Sequence, residues 1–538
     1  MSAVYSSVSR YGRLSRPPVQ VRLEPGLQLF CEPKHGISVV NISRFLRVPT
    51  ASPLVFVRVT LIAFVAVVVT STKADPDLWG HLRFGLDMLA DGSLHATDPY
   101  SFSSDRTWIN HEWLAELLMA FAYRAAGPTG LAFLKLAVIA GIVIILLTIA
   151  REEDASPFAR DVYVALAVFA TYSRTQVVRP QIFSVLIFCA ILYLLRRAER
   201  DRPAAIWFVP LCFGLWANLH GGWFVGLAAL SVWVLADAIQ NASRRRTLTL
   251  LSVLALSVVA TAVNPYTVDL WRFLGETVRG ERPDITDWAP LLKLPVAVIL
   301  IECILPLFAL AAFRSSPTPI KTRDLAVIAL LLVGTFRVGR VDAFLQTAIA
   351  ITFAPHLVAL FRRFETSARP SFLRRSPAVS VAAAGLAVYA GCVVLPNLSV
   401  VHVNGAWLPD RAAARYLRDE RPDARVLTWF DWGEYAIWHL SPSGIRVSMD
   451  GRRETVYSDR VIQDHMRFYR GDPGMVSYPE HIGADHIWLP SRFPIIASLK
   501  SAGWQTIFDN GQSVILARRE GPHPTVLDVR DGMHFPWP

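Results

Sequence analysis

The stretch ADPDLWGHLRFGLDMLADGSLHATDPYSFSSDRTWINHEW, residues 74–113, concentrates chemical groups directly behind the first apolar segment of the chain. Asp75 and Asp77 flank Pro76, which lacks a backbone donor and resists continuing a helix. The two carboxylates are therefore predicted to lie on a fixed turn, close enough to share one divalent cation, Mg²⁺ or Mn²⁺. A helix is predicted to begin near Leu78. The structural alternative is that Asp75 serves only as the cap of that helix.

Further candidate side chains follow in the same stretch. His81 and Arg83 come just after the acidic pair, and His111 and Glu112 stand near its end. Histidine and glutamate can exchange protons with a substrate, and arginine can bind a phosphate through two parallel hydrogen bonds. A lone histidine beside a membrane is about as often a hydrogen-bonded structural group. The spacing does not match HExxH, which argues against a zinc hydrolase.

The composition of the chain excludes an ordinary soluble protein. Of 538 residues, 53% are hydrophobic and 18% are charged. Many segments reach the roughly 20 apolar residues that cross a bilayer core of about 30 Å. The net charge of +11 comes largely from arginines beside the ends of those segments, where they act as topology signals, so we expect no nucleic-acid partner. Neither GxGxxG after a strand nor GxxxxGK[ST] occurs, so a nucleotide-sugar donor is not supported.

Eleven apolar segments are predicted to be transmembrane helices, which makes the chain an α-helical polytopic membrane protein. They are residues 53–72, 130–150, 161–172, 182–195, 204–217, 223–239, 248–263, 291–313, 325–336, 343–361 and 379–395. Residues 1–52 are predicted to be a basic, partly disordered cytoplasmic tail, and residues 53–396 the membrane domain. In residues 397–538, short apolar runs alternate with helical stretches, which predicts a small C-terminal α/β domain.

The distribution of arginine predicts the orientation of these helices. Five short loops are rich in arginine: REEDASPFAR, RRAERDR, NASRRRT, RSSPTPIKTR and RRFETSARPSFLRR. Because cytoplasmic loops carry an excess of Lys and Arg, these loops and the tail are assigned to the cytoplasm. An odd number of crossings then puts the first large loop, residues 73–129, and the C-terminal domain together on the extracytoplasmic face.

Polar residues also gather at that extracytoplasmic boundary. Arginine there runs against the orientation rule, and the structural explanation is snorkelling or an ion pair. Four arginines converging on the acidic loop favour another explanation, because a planar guanidinium is suited to binding phosphate at the lipid headgroup level. The candidates for substrate binding are His81, Arg83, Arg174, Arg179, Asn218, His220, Arg337 and Arg340.

Several motifs resemble the type C (GT-C) glycosyltransferases, membrane enzymes that use polyprenyl-phosphate sugars. The run DPDLWGHLR is similar to the first-loop motif of oligosaccharyltransferase catalytic subunits. The motifs TDPYSFSS, HEWLAE, ANLHGGW, NPYTVDLW, DWGEYAIW and MDGR resemble a bacterial branch of that superfamily, and the resemblance spans most of residues 53–516. The chain has no WWD-like acceptor motif. It also lacks the Asp-Glu pair of protein O-mannosyltransferases, for which Glu112 beside His111 could supply an equivalent base.

The resemblance implies a multi-pass glycosyltransferase of the bacterial inner (plasma) membrane. Its donor would be a polyprenyl-phosphate sugar, its acceptor an extracytoplasmic glycan, lipid or protein, and the transfer would invert the sugar. It also implies that Asp75 and Asp77 bind the metal or activate the acceptor, and that Arg83 and nearby basic residues meet the lipid-linked phosphate. Separately from the resemblance, the turn MDGRRE in the C-terminal domain, with Asp450, Arg452 and Arg453, could also contact substrate.

Two other functions stay open from the sequence. A secondary transporter also has about a dozen helices, and Glu302, inside an apolar segment, is the kind of carboxylate that transporters use. A non-catalytic assembly protein of envelope glycan synthesis would use the C-terminal domain to bind a partner, and in that case Asp77→Asn would be silent.

Overall fold

A computed structural model describes residues 50–279, 288–367, 374–403, 408–409, 411–421, 423–518 and 535. Nearly all of the predicted tail at residues 1–52 lies outside these ranges. The helices up to the C-terminal domain are α1 Pro53–Thr70, α2 Leu78–Asp91, α3 Trp113–Glu152, α4 Pro157–Ala170, α5 Tyr172–Thr175, α6 Gln181–Arg200, α7 Val209–Leu219, α8 Trp223–Gln240, α9 Arg244–Thr261, α10 Val268–Arg279, α11 Val296–Arg314, α12 Thr322–Arg337, α13 Asp342–Thr352, α14 Ala354–Thr366 and α15 Pro377–Asn397. Each predicted apolar segment lies mostly in one of these helices or in two consecutive helical elements.

Six of the described helices, α1, α3, α6, α8, α11 and α15, are long and apolar enough to cross a membrane. A bent pair, α13 with α14, makes a seventh if it counts as one span, with 64° between its halves. Pro355 in the first turn of α14 lacks the backbone donor that would continue the preceding helix. The chain is therefore a helical multi-pass membrane protein. The count of eleven crossings stays a prediction, because the other predicted spans are shorter or more polar.

Helix α3 has two parts with different surroundings. Its backbone is non-helical at Ala126 and Gly127, where Gly127 has a φ of 57°, and Pro128 follows. Before this kink, Glu116 and Ala120 lie against Gly85 of α2, and after it Gly141 lies against Leu186 of α6. Because of the kink, the first part of α3 packs with the first large loop while the second part is free to cross the membrane.

The C-terminal domain contains a mixed five-stranded sheet in the order β2-β1-β3-β5-β4. Strand β1 pairs in parallel with β2 and β3, whereas β5 is antiparallel to β3 and β4. The elements are α16 Arg411–Glu420, β1 Arg425–Thr428, α17 Phe430–Leu440, β2 Arg446–Val447, α18 Asp459–Arg470, α19 Tyr478–His481, β3 His486–Pro490, α20 Ile495–Ser501, β4 Gln505–Asp509 and β5 Ser513–Ala517.

The first large loop and the C-terminal domain share one hydrophobic core. Trp79 of α2 packs edge-on against Tyr435 of α17, with ring centroids 5.6 Å apart. The loop also extends the sheet, because the Val447 amide donates to Tyr100 O at 2.9 Å and the Phe102 amide donates to Val447 O at 3.0 Å. These contacts fix the acidic loop against the edge of the C-terminal sheet.

Candidate active site

A cavity of about 480 Å³ lies between the start of α2, the turn before α3 and the C-terminal domain; we call it the polar cavity. Its charged and histidine lining residues are Asp75, Asp77, His81, His111, Glu112, Glu116, Arg179, His220, Arg340, Asp431, Glu434, Arg452, Arg453 and Glu454. Of the residues predicted for the site, this lining lacks only Arg83, Arg174, Asn218 and Arg337.

Arg179 joins the two aspartates of the first loop. Its Nε lies 2.7 Å from Asp75 Oδ2, and its Nη2 contacts Asp77 Oδ2. A parallel β-bridge between Lys73 and Val177 aligns these side chains, because Asp75 follows two residues after Lys73 and Arg179 follows two residues after Val177. The cationic partner of the acidic pair is thus a guanidinium in this structure. The metal site predicted at Asp75 and Asp77 stays a prediction.

Neither carboxylate of the acidic pair makes a capping hydrogen bond to helix α2. Helix α2 begins at Leu78, as the sequence predicts, but its N-cap is Asp77, whose side chain makes no capping hydrogen bond. The side chain of Asp75 is engaged with Arg179 instead. The structural alternative, in which Asp75 merely caps the helix, is therefore wrong.

Three histidines surround Glu112. Its Oε1 lies 3.5 Å from His111 Nε2 and 3.5 Å from His220 Nε2, and its Oε2 lies 3.8 Å from His81 Nδ1. Glu112 precedes α3, whereas His81 belongs to α2 and His220 to the turn between α7 and α8. Burial opposes ionisation of Glu112, but the neighbouring His111, His81 and His220 lower its pKa to about 2. A fixed negative charge therefore stands at the centre of this group.

The tautomer of His220 is set by its neighbours. The Gly222 amide donates to His220 Nδ1 at 3.0 Å, and Ser184 Oγ lies 2.7 Å from the same nitrogen. A neutral imidazole has one donor and one acceptor, so the proton is on Nε2, which faces Glu112. Burial, together with the charges of Arg340 and His111, lowers the pKa of His220 to about 3 despite the opposing effect of Glu112.

His81 has the opposite charge state. Its Nδ1 lies 3.0 Å from Glu116 Oε1, and Asn110 Nδ2 donates to Glu116 Oε2 at 2.6 Å. Burial alone would lower the pKa of His81, but the hydrogen bond to Glu116 and the charges of Glu112, Glu116 and Asp77 raise it to about 9. The cavity thus holds a protonated and a neutral imidazole beside one carboxylate.

His81, Glu112 and Glu116 could also hold a metal ion. Their ligand atoms all lie within 4.8 Å of one another, and this is the one such group of His, Cys, Asp and Glu among the described residues. One imidazole nitrogen and two carboxylates suit a divalent transition-metal ion. Because a ligating imidazole must be neutral, binding of an ion would release the proton of His81.

A second cavity of about 410 Å³, the apolar groove, continues from the first between α6, α8, α12 and α13. The two share His111, Gln181, His220, Thr277, Trp288 and Arg340. The groove is otherwise walled mainly by apolar side chains, among them Val185, Phe224, Val225, Leu330, Leu331, Val338 and Phe344. At the junction, Arg340 lies 5.4 Å from the centre of the Trp288 ring and donates to Gln181 Oε1 at 3.3 Å.

The other two arginines at this boundary line the groove and not the polar cavity. Arg174 Nε lies 3.0 Å from Asp342 Oδ1. Arg337, at the end of α12, is exposed and has no ion-pair partner among the residues that the structure describes. The groove therefore carries positive charge along its apolar walls.

Two of the predicted substrate-binding residues lie away from both cavities. Arg83 Nε donates to Asp87 Oδ2 at 2.7 Å, one helical turn further along α2. Asn218 Oδ1 accepts from Trp113 Nε1 at 3.1 Å, and its Nδ2 donates to Val263 O at 2.8 Å. Local hydrogen bonds occupy both side chains, and substrate binding by Arg83 and Asn218 stays a prediction.

Glu302 likewise lines neither cavity. Its Oε2 accepts from Gln346 Nε2 at 2.8 Å, and its Oε1 lies 3.4 Å from Ser173 Oγ. It is a hydrogen-bonded buried carboxyl group, which removes the observation that favoured a transporter.

Several lining residues come from the C-terminal domain. The sequence offered Arg452 and Arg453 of MDGRRE as possible substrate contacts, whereas Asp431 and Glu434 were missed as site residues. Asp431 and Glu434 follow β1, while Arg452 and Arg453 follow β2. The carboxyl ends of parallel strands meet at one edge of a sheet, where α/β domains commonly bind ligands. The motifs DWGEYAIW and MDGRRE carried this signal. Glu116 could have been found as well, because it lies one helical turn after Glu112.

Comparison with known proteins finds the same fold in solved membrane enzymes. No protein-family model matches the chain, and no curated protein matches it. The apo oligosaccharyltransferase of Archaeoglobus fulgidus aligns with a TM-score of 0.54 at 13% identity, covering 81% of this chain and 69% of that one. ArnT from Cupriavidus metallidurans in the apo state aligns with a TM-score of 0.52 at 13% identity, covering 87% of this chain and 98% of that one.

A further match is archaeal oligosaccharyltransferase AglB from Archaeoglobus fulgidus in complex with an inhibitory peptide and a dolichol-phosphate. Its TM-score is 0.53 at 13% identity, over 81% of this chain and 69% of that chain. The chain thus shares the fold of these solved enzymes, which is the fold that the resemblance of its motifs to GT-C glycosyltransferases predicts.

Proposed function

We propose that this protein is an integral-membrane glycosyltransferase that moves a sugar from a polyprenyl-phosphate donor to an extracytoplasmic acceptor. The observation that carries the proposal is the junction of the polar cavity of about 480 Å³ with the apolar groove of about 410 Å³. A polyprenyl-phosphate sugar is divided in the same way, into a polar sugar, an anionic phosphate and an apolar chain. The archaeal oligosaccharyltransferase of the same fold was solved with a dolichol-phosphate, a lipid of that kind.

The arginines suggest how the donor lies. Arg340 stands where the cavities meet, so the phosphate would lie beside it, with the prenyl chain in the groove and the sugar in the polar cavity. Arg337, which lines the groove, would be a second arginine for the phosphate from that side, whereas the charge of Arg174 is paired with Asp342. A hydrogen bond from arginine to phosphate contributes about 1.5–3 kcal/mol, and more as charge builds on the leaving oxygen.

The transfer itself is a single displacement. The acceptor attacks the anomeric carbon on the face opposite the phosphate, and the bond from that carbon to the phosphate oxygen breaks with its electron pair going to the phosphate. The proton of the acceptor passes to Asp77, whose second carboxylate oxygen is held by Arg179. His111, which lines both cavities, can donate a hydrogen bond to the departing phosphate, whereas the Nε2 proton of His220 faces Glu112, which orients both rings.

A divalent cation fits the site at His81, Glu112 and Glu116, whose ligand atoms cluster within 4.8 Å. When bound, it would supply positive charge close to the phosphate. Of Mg²⁺ and Mn²⁺, Mn²⁺ suits a set with an imidazole better, because Mg²⁺ prefers oxygen ligands only. The oligosaccharyltransferase of Archaeoglobus fulgidus was solved with Zn and sulfate.

The test of this function is an intact-lipid analysis of a strain that lacks the protein. We expect polyprenyl-linked sugar to accumulate, because its consumption has stopped, and the wild-type gene to clear it. Complementation with Asp77→Asn should leave the lipid accumulated although the variant reaches the membrane in normal amount. A deletion strain with an unchanged lipid profile counts against the transferase.

The orientation is proposed along with the function: eleven crossings, a cytoplasmic N-terminal tail, and the first loop and C-terminal domain outside the bacterial plasma membrane. Single cysteines at the exposed positions Ser93 and Ser501, in a cysteine-free background, should react with an impermeant reagent in whole cells. A cysteine at the exposed Ser243 should react only after permeabilisation. Labelling of Ser501 from the cytoplasm would reverse the scheme.

A further inference from the structure

Five arginines of the C-terminal domain have no ion-pair partner among the residues that the structure describes. They are Arg411 and Arg415 on α16, Arg421 in the turn after it, and Arg425 and Arg446 at the starts of β1 and β2. Arg418, also on α16, is paired with the adjacent Asp419 at 2.8 Å. None of the five lines the polar cavity or the apolar groove. We call these five residues the arginine patch.

The fold gathers the arginine patch at the edge of the sheet where the parallel strands begin. Arg425 and Arg446 are direct partners in the pairing of β1 with β2, so their backbones lie about 4.8 Å apart. Arg411 and Arg415 are one helical turn apart on α16, which ends shortly before β1. Arg415, Arg425 and Arg446 are exposed, and the other two are half-buried.

Acidic residues near the patch do not cancel its charge. The sequence supplies four of them: Asp419, Glu420, Asp423 and Asp485. One Asp485 oxygen accepts the backbone amide of Arg425 at 2.8 Å instead of a guanidinium. With Arg418 included, six arginines stand against four acids, so this edge of the domain keeps an excess of positive charge.

Two neighbouring histidines respond to that charge. Burial, together with the charges of Arg418 and Arg411, lowers the pKa of His439 to about 3. Burial and the charge of Arg421 lower the pKa of His486, against the opposing effect of Asp485. Both imidazoles are therefore neutral at pH 7, and the excess charge of this edge is that of its guanidinium groups.

We propose that the arginine patch binds an acidic polysaccharide of the cell envelope, through carboxylate or phosphate groups along the polymer. A planar guanidinium can donate two parallel hydrogen bonds to either group. The inference goes beyond sugar transfer and rests on one part of the proposed function, the extracytoplasmic position of the C-terminal domain. Strand β1 begins at the patch, and Asp431, just after its end, lines the polar cavity. The bound polymer is thus held beside the cavity without occupying it.

A polysaccharide fits the patch better than a membrane surface does. Protein surfaces that lie on bilayers combine basic residues with exposed apolar side chains that enter the headgroup region. Among the described residues of the C-terminal domain, no large hydrophobic side chain is exposed, whereas many are exposed on the membrane helices. A hydrophilic polymer with repeated negative charges matches a surface that offers charge alone.

The first test removes the charge of the patch. Arg415→Gln, Arg425→Gln and Arg446→Gln are combined in one variant, because these exposed side chains can be changed without disturbing the core. Full-length protein in phosphatidylcholine nanodiscs is titrated with polygalacturonate, with dextran phosphate and with uncharged dextran. Wild type should bind both acidic polymers and not dextran. The variant should bind them about tenfold more weakly or worse, and higher salt should reduce this difference.

The matched control removes three positive charges from another surface of the same domain. Arg460 and Arg467 of α18 lie 3.9 and 3.6 Å from carboxylate oxygens of Asp464, and Arg470 lies 3.4 Å from one of Asp472. The combined change of these three arginines to Gln should leave polymer binding within about twofold of wild type. Equal loss in the two variants would reduce the effect to net charge and overturn the patch. So would a wild-type protein that binds neither acidic polymer.

Vesicles decide between a polymer and a membrane as the partner. The same nanodiscs should bind vesicles containing phosphatidylglycerol no better than vesicles of phosphatidylcholine alone. Binding to phosphatidylglycerol that the patch variant loses, without binding to polygalacturonate or dextran phosphate, would overturn the polysaccharide.

The patch and the transferase fail separately, because polymer binding needs no donor lipid. A deletion strain with an unchanged lipid profile removes the transferase and leaves the patch. Labelling of Ser501 from the cytoplasm removes the envelope polymer as the partner, even where binding in nanodiscs is intact.

Discussion

Arg452 and Arg179 each join two aspartates. The Arg452 cluster is the closed one, since neither of its aspartates lines the polar cavity, and the Arg179 cluster is the open one, since both of its aspartates do. The Arg452 guanidinium donates two hydrogen bonds of 2.9 Å to Asp98 and bonds of 2.9 and 2.7 Å to Asp450. The Arg452 side chain is 6% exposed and both aspartates are 0% exposed. The Arg179 side chain is 20% exposed at the wall of the polar cavity.

Aromatic rings make the difference between the two clusters. The Arg452 guanidinium lies 4.8, 5.4 and 4.7 Å from the ring centres of Phe84, Tyr100 and Trp108. Because Asp98 belongs to the first loop, this buried cluster fastens that loop to the C-terminal domain. The same three charges thus stabilise the structure where rings enclose them, and they are positioned for chemistry where both carboxylates line the polar cavity.

Arg452→Met should give the largest effect and shows whether the closed cluster is structural. Asp98 and Asp450 would be left as buried carboxylates without their arginine, which costs about 3–5 kcal/mol. Tryptophan fluorescence during denaturation of the purified protein should show a strongly lowered midpoint. The matched control is Arg460→Met, which removes a side chain that is 84% exposed and should leave the midpoint unchanged. An unchanged midpoint for Arg452→Met would contradict a structural role of the closed cluster.

Asp77→Asn tests the open cluster and should give the reverse pattern. Transfer should fall about a hundredfold or more, because the acceptor loses its proton acceptor while the side chain keeps its shape. Binding of undecaprenyl phosphate should stay within a few fold, and the denaturation midpoint should hardly move. Single-turnover transfer in purified protein measures the first effect. A normal rate would mean that the chain is not a transferase of the proposed kind.

Arg337→Ala extends the comparison to an arginine with no ion-pair partner in the described parts of the chain. Loss of one arginine–phosphate contact of about 1.5–3 kcal/mol should weaken undecaprenyl phosphate binding roughly 10- to 100-fold. Native mass spectrometry or a fluorescent lipid competitor in nanodiscs would measure it. The control, Arg362→Ala, removes an exposed arginine that lines neither cavity. Equal binding by both variants would take Arg337 out of the lipid site.

Asp431 should give the smallest effect, and it depends on pH. Burial and the charge of Asp77 raise the pKa of Asp431 to about 6, so folding favours its protonated form. This contribution to stability is complete below the unfolded pKa of about 4 and is lost as pH rises through 6. Asp431→Asn should therefore be more stable than wild type by about 1–2 kcal/mol at pH 7 and equal to it near pH 4. Denaturation curves at both pH values would show this, and a constant difference would contradict it.

The sequence predicts most of the helices because hydropathy is a local property. It also predicts that Asp75, Asp77, Arg179 and Glu112 share one site, because all four lie in loops on the same predicted face of the membrane, and all four line the polar cavity. It does not separate Arg83 from Arg340. Both arginines lie beside an apolar run in the sequence. The structure shows that Arg83 is hydrogen-bonded to Asp87, whereas Arg340 lines both cavities.

Long-range contacts account for what the sequence did not predict. Asp98 and Arg452 are separated by 354 positions, and Glu434 comes within electrostatic range of Asp77 only after α17 packs on α2. No local pattern encodes such pairs. Their only local signals were the density of charge in MDGRRE and the acidic residues within an aromatic run, DWGEYAIW, which core packing explained equally well.

The backbone segment centred on Lys73 is hydrogen-bonded on two sides, since Lys73 pairs in parallel with Val177 and with His402. Insertions and deletions should therefore be tolerated very differently along the chain. One residue added between Lys73 and Asp75 would turn the carboxylate to the opposite face of its segment, away from Arg179. One residue added at exposed Ser93, in the turn after α2, changes no such register. Across related sequences, alignment gaps should fall in that turn, and the short spacings that join Lys73 to Asp75 and Val177 to Arg179 should stay constant.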